Sequence, residues 1–167
     1  SDYDLTQHSK FSGQDLTYLD PVTHERYLPW IVETSGGVDR SFFFLLLDAY
    51  REDKLENGDI RTWLKISPKV SAYKLAIFPL ASNKPELVDK AKSLHLALST
   101  KYSVDFDDSS SIGKKYRRQD EIGTPFCLVV DYQTLEDDTV SIRDRDTMEQ
   151  IRLKSAEVDN WLADKLK

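Results

Sequence analysis

This chain of 167 residues has little that would suit a secreted or membrane protein. It holds one cysteine, Cys127, so no internal disulfide framework can form, and a reducing compartment, the cytoplasm, is expected. Cys127 lies in the apolar run Phe126-Cys127-Leu128-Val129-Val130, the setting of an inert core thiol. No apolar run approaches the ~20 residues that a membrane-spanning helix needs, and the candidate from Phe42 to Leu47 is far too short. Ser1, Asp2 and Asp4 do not have the composition of a signal peptide. His8, His24 and His95 fall at no ligand spacing, so no metal site is expected. There is no Walker A loop or dinucleotide fingerprint, no internal repeat and no low-complexity tract.

What is present is an ordinary globular composition, 40% hydrophobic and 31% charged, in a chain long enough to bury a core. The net charge of −6 argues against general nucleic-acid binding, but the charge is uneven. Residues 1–68 carry 7 basic against 12 acidic side chains, and residues 69–167 carry 16 against 17. The nearly neutral second part can therefore present a local basic face.

The pattern predicts two parts, 1–68 and 69–167. In the first, Asp20 to Arg26 reads as a turn and Tyr27 to Glu33 as a strand with Pro29 near its edge. Thr34-Ser35-Gly36-Gly37 forms a tight turn, and a helix follows from about Val38 to Asp53. Phe42 to Leu47 make that helix apolar nearly all round, so it is expected to be buried. Without a covering surface, these side chains would be an aggregation liability. The charged stretch from Arg51 to Thr62, with Asn57-Gly58-Asp59, reads as a surface loop.

In the second part, strands are expected at Tyr73–Leu80, Val104–Phe106, Thr124–Tyr132 and Thr139–Arg145, and a further one at Met148–Lys154. Helices are expected from Pro85, with Leu87, Ala91, Leu94 and Leu98 on one face, from Ser109 to Ile122 with Gly123 as its cap, and after Ser155. Strands joined by helices should be parallel and the following hairpin antiparallel, giving an α/β fold with a mixed, mostly parallel sheet and flanking helices.

The segment richest in chemistry is Trp30-Ile31-Val32-Glu33-Thr34-Ser35-Gly36-Gly37-Val38-Asp39-Arg40. A carboxylate follows an apolar strand, paired glycines allow close ligand approach, and Arg40 offers a planar fork for phosphate oxygens. Taken alone, the pattern fits a ligand site and a plain turn with a Glu33–Arg40 ion pair equally well.

A resemblance separates the two. The segment resembles motif 3 of class II aminoacyl-tRNA synthetases, and specifically the glycyl-tRNA synthetase form Glu-Pro-Ser-Ala-Gly-Val-Asp-Arg, with Thr34 and Gly36 replacing Pro and Ala. Asp2-Tyr3-Asp4-Leu5, His8 and Ser12-Gly13 are similar to the stretch preceding it in that family. Ser111 to Pro125 and Asp144 to Gln150 are similar to signatures of its anticodon-binding domain. Ile66-Ser67-Pro68 departs from a common Leu-His-Pro.

The resemblance implies that residues 1–68 end a class II catalytic domain, whose sheet is antiparallel, and that residues 69–167 read an anticodon. It implies that Glu33, Thr34, Ser35, Gly36 and Gly37 line a glycine site, and that Gly37, Val38, Asp39 and Arg40 border ATP. A carboxylate would hold the glycine ammonium while close walls exclude larger side chains. The glycine carboxylate would attack the α-phosphate of ATP with no protein nucleophile. It also implies tRNA(Gly) as partner, magnesium accompanying ATP, and a homodimer in the full-length enzyme.

On the helix from Ile112, a 100° step puts Lys114, Arg117 and Arg118 on one side, Ile112, Tyr116 and Gln119 on the other, and Lys115 on a flank. A charge run of this kind is by itself a solvated face. With the resemblance, Lys114, Arg117, Arg118, Arg143, Arg145 and Glu149 become the candidate tRNA contacts. The competing reading is a noncatalytic synthetase-like RNA-binding protein or polymerase accessory subunit. Joint presence of Glu33, Ser35 and Arg40 favours the ligase. Motifs 1 and 2 are not found in these residues, so the chain is expected to be a fragment of a longer enzyme. These 167 residues alone should therefore give no glycine-dependent ATP–pyrophosphate exchange, and any exchange above background would contradict that expectation.

Overall fold

A computed structural model describes residues 1–167 and divides them into two compact units, Ser1–Ser41 and Phe42–Lys167. The division proposed from sequence at 68/69 falls inside the second unit. The first unit holds helix α1, Tyr3–Ser12, closed by Gly13 in the left-handed conformation, and two short paired strands, β1, Tyr18–Leu19, and β2, Arg26–Tyr27. The expected strand from Tyr27 to Glu33 does not form. Residues 28–37 have no regular structure, consistent with a proline and two adjacent glycines and with no neighbouring strand to pair with.

Helix α2 runs from Val38 to Ala49 and passes directly into a hairpin of β3, Tyr50–Lys54, and β4, Ile60–Leu64. The expected surface loop is thus a paired hairpin whose tip holds Asn57 and Gly58, with Gly58 at φ +89°. The expectation of a buried helix also fails. Phe42, Phe43, Phe44 and Leu47 are all more than half exposed, because nothing in this chain packs on them. No helix is long and apolar enough to cross a membrane.

The rest is an α/β sheet. In chain order its elements are β5, Leu75–Pro79; α3, Pro85–Ser99; β6, Val104–Phe106; α4, Ile112–Ile122; β7, Phe126–Val130; α5, Tyr132–Asp137; β8, Thr139–Asp144; β9, Gln150–Lys154; and α6, Val158–Lys165. The strand order is β6-β5-β7-β8-β9. β5 is parallel to β6 and β7, while β8 and β9 are antiparallel to their neighbours, as the helix and hairpin connections require. Helix α5 was not foreseen. Asp131 and Thr134 close a capping box around it, and its six residues are too few to show a period. Ser155, expected to cap the last helix, opens a short 3₁₀ turn and donates to Asp138 instead.

The two faces of the sheet differ. Leu75, Ile77, Phe126, Leu128, Val130, Val140 and Ile142 form the main core with Leu87, Ala91 and Leu98 of α3 and Val158 and Leu162 of α6. The other face carries the smaller cluster of Ala76, Phe78, Cys127 and Val129, covered by Ile112 and Tyr116 of α4. Burial raises the Cys127 thiol well above the usual range, as expected of an inert core cysteine.

The hairpin packs on the outside of α4. The approach is closest at Gly123, which ends α4 at φ +80°: a Cβ there would sit 2.9 Å from Ile66 Cδ1 and 3.2 Å from the Leu64 carbonyl oxygen. Gly58 has a similar positive φ but open space around it. Gly123→Ala should therefore cost about 1–3 kcal/mol in denaturant unfolding and Gly58→Ala only about 1 kcal/mol. Equal losses would show that backbone angle alone matters at Gly123.

Candidate nucleic-acid interface

Helix α4 is the organising element of the candidate site. Ser111 takes the N-cap backbone angles without a side-chain cap bond, and Gly123 supplies the left-handed C-cap. Of the four basic residues on α4, two are occupied in holding the protein together. Lys115, placed on a flank by the helical wheel, is fully buried. Its Nζ donates to the Pro79 carbonyl at 2.8 Å and to Ser82 Oγ at 3.3 Å, and burial lowers its pKa. Arg118 pairs with Asp107 and donates to Ser109 and Ser110, fastening the loop before the helix. Burial raises the Asp107 pKa, but hydrogen bonds from Ser109 and Arg118 more than offset it and hold the carboxyl below its ordinary value. Lys114 and Arg117 remain exposed, Arg117 with only a loose pair to Glu121 at 3.5 Å.

Arg143 and Arg145, expected as RNA contacts, are both buried. Arg143 follows the alternation of β8 onto the face beneath α4, opposite Cys127, where a cation needs a partner. Asp120 provides it, at 3.0 and 3.2 Å, and the guanidinium lies 4.8 Å from the centre of the Tyr116 ring. The same carboxylate accepts from Arg61 Nε at 2.8 Å. Arg61 also donates to the Arg145 carbonyl at 2.6 Å and to Asp53 of β3 at 3.3 Å. Arg145 donates to the carbonyls of Gly123 at 2.6 Å and Ile66 at 2.9 Å and pairs with Asp146. Trp63 lies between the Arg61 and Arg145 guanidiniums, 4.7 and 5.7 Å from its ring centre, and its indole N–H finds no acceptor. Both expected arginines are thus engaged in internal contacts, Arg145 with 2% exposure and Arg143 with 8%. Glu149 stays exposed beside a separate depression near Trp161 and Lys165.

Above this network lies an open cleft of about 230 Å³. Tyr116, Arg117 and Gly113 of α4 form one side, Asp59 and Ile60 of the hairpin the other, with Arg143 and Asp120 at the base and Met148 at the rim. Burial pushes the Tyr116 hydroxyl up to about 12, so it is neutral at physiological pH. Reasoning from sequence missed Tyr116, Asp120 and the hairpin. The hairpin carried a usable signal in Asn57-Gly58 between two strand-like runs.

The residues expected to hold glycine and ATP are placed differently. Glu33 to Arg40 are all exposed, and no ion pair joins Glu33 to Arg40. Ser41 Oγ donates to the Gly37 carbonyl at 2.9 Å and steadies the start of α2.

Comparison with known proteins finds that residues 74–165 match a family model described as an anticodon binding domain. The glycine–tRNA ligase of Clostridium kluyveri is 49% identical over 166 residues, 99% of this chain and 35% of its own length. That of Chlorobaculum tepidum is 50% identical over 166 residues, again 99% of this chain and 35% of its own length. That of Streptomyces coelicolor is 47% identical over 170 residues, 99% of this chain and 37% of its own. The chain spans about a third of the length of these curated relatives.

Asp120→Asn would leave Arg61 and Arg143 buried without their shared charge. It should lower unfolding stability by about 3–5 kcal/mol, measured by urea titration. A loss under 1 kcal/mol would mean that the network is hydrated rather than buried.

Proposed function

We infer a tRNA-reading role for this chain, which belongs to the anticodon binding domain family and is similar to glycine–tRNA ligases. Residues 69–167 would bind the anticodon loop of tRNA(Gly), and residues 1–68 would contribute part of the catalytic domain. The whole protein, as a homodimer, would activate glycine with magnesium-bound ATP and transfer it to tRNA(Gly). The observation that carries the reading is the cleft beside α4, where the exposed Arg117 lines the same recess as the Tyr116–Arg143 aromatic–guanidinium pair and Lys114 is exposed on the same helix. Phosphate contacts position an RNA, and a recess with planar walls takes an unstacked base.

For the catalytic part, Glu33, Thr34, Ser35, Gly36 and Gly37 would face the glycine substrate. The exposed Arg40 would meet ATP phosphates alongside Gly37, Val38 and Asp39. Their open position suits residues that complete a site together with other parts of the protein. Glu33 would bind the ammonium group, and the paired glycines would let the backbone come close to a substrate that has no side chain.

The test is equilibrium binding of the chain to an RNA hairpin bearing the glycine anticodon and to one with the anticodon exchanged, across a salt series. The native hairpin should bind more tightly. Lys114→Ala and Arg117→Ala should each weaken both RNAs alike and reduce the slope of log K against log salt by about 0.7–0.9. Equal binding of both RNAs by the unaltered chain would remove the anticodon reading.

A further inference from the structure

Resting on that reading, we propose that the β3–β4 hairpin is a wall of the RNA site. Arg61 acts as the positioning residue that sets its distance from α4, and the recess between them takes one unstacked nucleobase. The hairpin, residues 50–64, lies wholly outside the matched anticodon binding domain at 74–165. The structure nonetheless ties it to that domain more firmly than a linker would require. Through Asp120, Asp53 and the Arg145 carbonyl, Arg61 joins β4 to α4, to its own partner strand and to the turn after β8. Gly123 removes the side chain that would hold the two apart. A structural brace alone accounts for that buried network. It does not account for Ile60, which is 56% exposed and stands at the cleft mouth across from α4.

The charge layout selects the occupant. Asp120 is already paired with Arg61 and Arg143, so the carboxylate without an ion pair at the cleft is Asp59, which can accept from the exocyclic amino group of a base. Arg117, on the α4 side of the cleft, and Lys114, exposed on the same helix, would meet the phosphate backbone attached to that base. Tyr116 and the Arg143 guanidinium supply planar surface, and Ile60 and Met148 the apolar rim. The cleft, about 230 Å³, lies below the ~300–1,000 Å³ of sites for larger ligands and suits a single ring system.

The test measures binding of both RNA hairpins by the chain, its Asp59→Asn/Ile60→Ala variant and its Arg61→Lys variant, with thermal melting as a check on folding. The double variant alters only exposed side chains, so it should fold normally. It should bind the native hairpin about tenfold more weakly with an unchanged salt slope. Arg61→Lys keeps the charge and loses the fork, and should likewise weaken binding of the native hairpin with an unchanged salt slope. Unchanged binding of both RNAs by the double variant, or a loss accompanied by a reduced salt slope, would overturn the proposal. If the unaltered chain binds both RNAs equally and the double variant weakens both, the hairpin wall stands and the anticodon reading falls. If the unaltered chain binds neither RNA, both fall.

Discussion

The second unit depends on one buried carboxylate. Asp120, near the end of α4, is shared between Arg143 of the sheet and Arg61 of the hairpin. Two guanidiniums and one carboxylate leave a net positive charge in a region largely closed to water. The arrangement holds because Asp53 and two stacked aromatic rings, Tyr116 and Trp63, supply further compensation. Such a cluster is weak evidence for extra stability, since burying the ions costs about as much as their attraction returns. What it does provide is direction. A guanidinium fork bonded on several sides fixes the relative placement of three elements to within hydrogen-bond tolerances. Apolar contacts between α4 and the hairpin would not do so as tightly.

That constraint bears on how RNA would be read. Cleft volume and shape are set by the α4–hairpin separation, and Arg61 and Gly123 both act on that separation, one by attraction and one by the absence of a side chain. The remaining cations divide by the same logic. Lys115 serves the end of β5 and the loop after it, Arg118 serves the loop before α4, and Lys114 and Arg117 are left for solvent or phosphate. A helix that looks uniformly basic in sequence therefore offers only about half its charge to a partner.

The sequence conveyed the sheet well and the polar network poorly. β5, α3, β7 and α6 carry unbroken apolar runs or helical spacing that reflects burial directly, so their places follow from local pattern. α2 shows the limit of that logic. Its apolar composition reads as that of a buried helix, yet Phe42, Phe43, Phe44 and Leu47 are all more than half exposed. Arg143 and Arg145 show another. Alternation placed Arg143 on the outward face of a half-buried strand, but that face is covered by α4, and only the pairing with Asp120, distant in sequence, makes a cation tolerable there. Nothing within a few residues of Arg143 reveals its counterion, or those of Arg61.

The residues expected to hold glycine and ATP rest on a different ground. Glu33, Ser35 and Arg40 were identified by likeness to a motif, and the structure leaves them on an open segment with no partners of their own. A charged group kept without local compensation is inexpensive only while it is solvated. Glu33 and Arg40 are both exposed and so meet that condition. The cleft at α4 is the opposite case, with its charges already paired and its walls fixed within one compact unit. The two candidate sites thus differ in how much of their geometry this chain determines, and the cleft at α4 is the one whose shape follows from residues present here.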